Sequence, residues 1–151
     1  MANSIVKSIA GSLAIAAVIA PAALLHAQFA LGTWANTQTT MTMTVEACCN
    51  GGRRFVYRIQ GTDTVLMSNE SPMDGTDVPV MIGGKPSGET MGIKKVDDHH
   101  VFTVLKMNGK QFGTSKATIS ADGKTMTVEN DVTSTASGNP IGKSVETWIR
   151  K

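Results

Sequence analysis

Three groups of residues in this chain carry side chains that could do chemistry. The vicinal pair Cys48-Cys49 holds every cysteine present. The run Asp97-Asp98-His99-His100 sets two imidazoles beside two carboxylates. Met41, Met43, Met67, Met91, Met107 and Met126 place six thioethers on segments that read as strands. Soft sulfur selects Cu(I) and imidazole also suits copper, so Met41-Thr42-Met43 with Cys48-Cys49 and His99-His100 raises copper binding as a question. No arrangement of these residues has a recognised ligand spacing, and the cysteines lie beyond the strand that carries Met41 and Met43. No metal site is expected.

Adjacent Cα atoms stand about 3.8 Å apart, below the usual disulfide range of about 4.4–6.8 Å. Cys48 and Cys49 therefore have three options: a strained, easily reduced vicinal bond, bridges to another chain, or a free pair at a turn. The free pair is the favoured reading. A His–Asp or Ser–His–Asp relay would need converging side chains, whereas neighbours on a strand point to opposite faces. Asp97 to His100 reads instead as a solvated hairpin tip. Neither a Gly-x-Ser-x-Gly elbow nor a metalloprotease helix occurs. We expect no catalysis, no catalytic residues and no cofactor.

The elements that carry these residues are strands. From Thr39 to Ala47, Met41, Met43, Val45 and Ala47 fall on one face and Thr40, Thr42, Thr44 and Glu46 on the other. That is the two-residue period of a half-buried strand. After Gly51-Gly52, Phe55, Tyr57 and Ile59 share a face. Further strands are expected over Thr62–Ser68, Thr90–Val96, Val101–Met107, Gln111–Ile119, Thr125–Val132 and Ile141–Arg150, after a short opening segment, Leu31–Trp34, while Val78–Ile82 is apolar. Pro79 confines its segment to an edge or a bulge. The residues from Gly83 to Gly88 read as a loop.

Asn108-Gly109 and Asp122-Gly123 are strong hairpin signals, because both central residues of a type I′ turn need positive φ. Turns this frequent predict an antiparallel up-and-down meander of about eight strands, closed into an all-β barrel. Closure would also remove exposed edges. A two-sheet β-sandwich is the alternative, though its Greek-key crossings need longer connections.

The N-terminal stretch stands apart. Lys7 is its only charge, Ile9 to Leu25 is apolar apart from Gly11 and Ser12, and Ala22, Ala23 and Ala27 supply small residues. This order is that of a secretory signal peptide over residues 1–27, and Pro21 and the run's length argue against an uncleaved anchor. The expected mature domain is residues 28–151, periplasmic or extracellular, with no membrane attachment after cleavage. It carries thirteen basic and twelve acidic residues. That near-neutral balance leaves no footprint for nucleic acid, and Arg53-Arg54 reads as a solvated edge.

Gly32-Thr33-Trp34 resembles the opening of a lipocalin-type barrel. Lys94-Lys95-Val96-Asp97-Asp98-His99, the late hairpin Ser120-Ala121-Asp122-Gly123-Lys124-Thr125-Met126-Thr127-Val128, and Asn139-Pro140-Ile141-Gly142-Lys143 carry the resemblance further. Their order is similar to that of a group of small secreted bacterial proteins with a lipocalin-like domain. Cys48-Cys49 departs from that group's pattern. The resemblance implies a barrel whose opening Trp, here Trp34, packs beneath a basic residue from the last strand, here Arg150. It carries no catalytic residues.

These readings converge on a non-catalytic exported protein that binds a small apolar or amphipathic ligand inside the barrel. The candidate lining residues are Met41, Met43, Tyr57, Met91, Leu105, Met107, Met126 and Val128, all on apolar strand faces. Met adapts to irregular apolar partners; an ordinary packed core built with Met is the competing explanation. A second functional reading is an envelope interaction or inhibitor module, using the loops Glu70–Gly75 and Thr133–Pro140 on an unidentified partner protein.

Overall fold

The computed structural model describes residues 30–134 and 141–151. The signal-peptide reading over residues 1–27, and all but the first two residues of the loop expected over Thr133–Pro140, lie outside the described residues. Alternation and turn chemistry together produce ten strands: β1 (Gly32–Asn36), β2 (Met41–Cys48), β3 (Gly52–Ile59), β4 (Val65–Ser71), β5 (Asp74–Ile82), β6 (Lys85–Lys95), β7 (His100–Met107), β8 (Lys110–Ile119), β9 (Thr125–Val132) and β10 (Gly142–Arg150). Each pairs antiparallel with its sequence neighbours, and β1 also pairs with β10, closing the meander into a barrel.

The barrel therefore has ten strands among the described residues, where about eight were expected. The opening segment is a true strand, with Trp34 opposite both Met43 on β2 and Arg150 on β10. The Pro79 segment is another. It pairs with β6 through a register shift between Pro79 and Met81, the bulge that a residue without an N–H requires. Gly83 and Gly84 both take positive φ, 57° and 77°, and turn β5 directly into β6. The strand thus starts at Lys85 rather than at Thr90. Asn108 and Gly109, at φ 48° and 82°, form the expected two-residue turn.

The meander sorts its connections to two ends. One end gathers Ala30-Leu31, the 3₁₀ turn Cys49–Gly51, Pro72-Met73, the Val96–His99 turn, Ser120–Lys124 and the chain's last residues. Trp34 closes this end. It is wholly buried against Val45, Phe55, Ile93, Val101, Ile119 and Trp148, and its Nε1 donates to the Ala30 carbonyl at 2.8 Å. The Arg150 guanidinium lies over the indole, Cζ 4.4 Å from a ring centroid, and donates to Gly123 O at 2.7 Å and to Leu31 O. The opposite end carries the turns at residues 37–40, 60–64, 83–84 and 108–109. No helix among the described residues is long and apolar enough to cross a membrane.

Candidate functional site

A barrel's bore widens with strand number, and eight strands already give an interior that is either just filled or open to one small ligand. Ten strands leave a cavity of about 210 Å³. Its wall follows from the two-residue period. Met41 and Met43 enter from β2, Tyr57 from β3, Met91 from β6, Leu105 from β7, and Met126 and Val128 from β9. Seven of the eight candidate residues thus share one cavity. Met107 does not join them. It keeps the parity of Leu105, opposite Glu89 on β6, but it is the last residue of β7, past the cavity wall, with its sulfur beside Gly88.

Several further lining residues sit at positions that the same alternation reaches. Met67 and Phe55 lie on inward faces of β4 and β3, and Thr103 and Ser115 face in from β7 and β8. Asn130 continues the inward row of Met126 and Val128. Glu146 and Trp148 continue the row that ends at Arg150. Parity alone points to these positions; their polarity, or their place on an otherwise polar strand, hid them.

Glu146 is the polar focus. Its Oε1 accepts from Asn130 Nδ2 at 3.1 Å, and its Oε2 accepts from Asn36 Nδ2 at 3.2 Å and from Trp148 Nε1 at 3.1 Å. Trp148 also meets Tyr57 edge-on, with ring centroids 6.2 Å apart and planes at 74°. The Tyr57 phenol is pushed far above its ordinary range, chiefly by burial and then by the charges of Glu146 and Glu89. Half-burial of Glu89 raises its own carboxyl. Deeper in the barrel, Asn69 is buried with its Nδ2 3.0 Å from the Met91 sulfur.

The other chemically suggestive residues stay apart from this cavity. His99 and His100 sit at the Trp34 end. Asp97 Oδ1 accepts from both of their backbone N–H groups at 2.8 Å, and His100 Nδ1 stands 2.8 Å from the same carboxylate. These contacts build the turn and hold the Asp97 carboxyl below its ordinary value. Cys48 and Cys49 are joined to each other in a vicinal disulfide, which replaces the favoured free pair. Glu70 lies within ligand reach of both sulfurs, but a disulfide offers no thiolate to a metal. The dispersed copper set of methionines, cysteines and histidines is not brought together.

Arg53 also departs from expectation. It is buried, not solvated, and its Nη1 donates to Gly51 O at 3.2 Å and Gly52 O at 2.8 Å, bracing the cysteine turn from inside. Arg54 remains exposed, 3.7 Å from Glu70. The two loops considered for a partner protein lie at opposite ends of the barrel: Glu70–Gly75 beside the cysteine turn, and Thr133 at the far end. Neither protein-family models nor curated proteins match this chain.

Proposed function

We propose that this barrel is a lipocalin-like, exported carrier that binds a small apolar or amphipathic molecule in its interior without transforming it. The cavity behind the Trp34–Arg150 lid carries the reading: about 210 Å³ of space walled by five methionines, with aromatic and aliphatic partners. A dry apolar cavity of about 150 Å³ suffices for benzene, so the volume suits a molecule of modest size. Thioether side chains adapt to irregular apolar shapes. A few convergent polar groups, here Glu146, Asn130 and Tyr57, are what orient a ligand in such a pocket. Export rests on the charge and apolar pattern of residues 1–27.

Native mass spectrometry of the protein purified from its host tests the proposal. A co-purifying small molecule, lost on replacing Ala117 in the cavity wall by Phe, is the expected result. Protein that arrives empty, and whose tryptophan fluorescence responds to no small amphiphile, would overturn it.

A further inference from the structure

We infer that the molecule held in this cavity carries a protonated amine on its apolar body, paired with Glu146. The inference rests on the small-molecule reading above and names its chemical class. Glu146 is the one carboxylate among the described residues that line the cavity, and these include no lysine, arginine or histidine. None of the ion pairs among the described residues involves it.

Three neutral donors, Asn36, Asn130 and Trp148, hold its two oxygens. A carboxylate offers about four lone-pair sites, so one acceptor position stays open. Neutral dipoles orient the charge without cancelling it. Glu146 is part-buried, and a charge partly withdrawn from water attracts an opposite one more strongly than it does in bulk water.

Asn69 supplies an independent observation. It is only 3 % exposed and follows Met67 on the inward face of β4. Its Oδ1 is buried with no hydrogen-bond partner among the described residues, an unpaired acceptor on the inward side of the wall next to Met91. Glu89 shares its strand face with the lining residues Met91 and Ile93 and adds negative charge near Tyr57. The faces of Tyr57 and Trp148 favour a cation as well. An anionic amphiphile such as a fatty acid meets like charge at Glu146, and no cationic side chain among the described lining residues answers its carboxylate. Scaling from benzene in about 150 Å³, the cavity holds on the order of eight non-hydrogen atoms, the size of a hexyl chain with one polar head.

The test is titration of the full chain with hexylamine, hexanol and hexanoate at neutral pH, followed by calorimetry and tryptophan fluorescence. Hexylamine is expected to bind about tenfold or more tightly than hexanol, as a charge-assisted hydrogen bond provides, with hexanoate weakest. In Glu146→Gln the amine's advantage over hexanol should vanish. An amine no tighter than the alcohol, or an advantage that survives Glu146→Gln, overturns the inference while leaving the carrier reading intact. No binding by any of the three, hexanol included, overturns both. The wild-type ranking alone decides the matter should the variant fail to fold.

Discussion

Arg150 lies across the indole of Trp34, its Cζ 4.4 Å from the ring centroid, at the register position where the last strand meets the first. The same guanidinium reaches the carbonyls of Leu31 and Gly123. One side chain thus joins the closing seam, the start of β1 and the β8–β9 turn. It seals one end of the bore over a wholly buried ring.

Loss of this lid should be measurable in stability. Trp34→Ala is expected to cost about 3–5 kcal/mol, the range for truncating a buried aromatic side chain. Arg150→Lys keeps the charge but loses the planar fork that serves two carbonyls and the ring. It should cost about 1–3 kcal/mol, as for hydrogen bonds made by charged groups. Urea denaturation of both variants checks the order. A Trp34→Ala midpoint equal to wild type would contradict the burial of that ring.

The cavity can be filled from its own wall. Ala117 lines it with the smallest of side chains on β8. Ala117→Phe should displace a bound hexyl probe and weaken it by tenfold or more, while leaving the melting temperature near wild type because the added ring enters open space. A comparable substitution in a packed interior costs about 1–3 kcal/mol. A large drop in melting temperature would therefore mean that the space is already filled.

Two carboxyl environments give opposite pH dependences. Half-burial raises Glu89 in the folded state. From the ordinary glutamate pKa of about 4.3 up to that raised value, the folded protein keeps a proton the unfolded chain has released. This group's contribution therefore falls as pH rises through that window. Glu89→Gln should match wild type below the window and be the more stable protein above it.

Asp97 runs the other way. Backbone and side-chain hydrogen bonds from His99 and His100 hold it below its ordinary value. Its contribution is present above the ordinary aspartate pKa and is lost as pH falls toward the depressed one. Thermal melts of Asp97→Asn across acid pH should lack that loss. Identical pH profiles for the variant and wild type would contradict the turn's hydrogen bonding.

Removing the disulfide should do little to the fold. A bond between adjacent residues closes almost no chain, so it restricts the unfolded ensemble far less than a long-loop bridge does. The double variant Cys48→Ala, Cys49→Ala is expected to lie within about 0.5 kcal/mol of wild type, as for an ordinary surface change. Intact mass without reductant should fall two hydrogens short of the dithiol form. A mass matching two thiols would contradict the bond at this turn.

Most of the cavity wall was legible in the sequence because a pleated strand sends alternate residues to one side, whatever lies around it. Met41, Met43, Met91, Met126 and Val128 could be assigned from their immediate neighbours, as could the Asn108-Gly109 turn. Met107 shares the parity of Leu105 but lies at the end of β7, beside Gly88 and past the cavity wall, and alternation by itself does not tell where along a strand a cavity ends.

The width of the bore and the position of its charge belong to another scale. Strand number and closure depend on β1 meeting β10 across the length of the chain. Glu146 takes its three donors from strands as distant in sequence as Asn36, 110 residues away. Side-chain alternation is a property of two or three successive residues, so the sequence displays it directly. A cavity and a carboxylate held within it exist only once remote strands are paired in a particular register, and pairing energies between distant segments leave no signature in either segment alone.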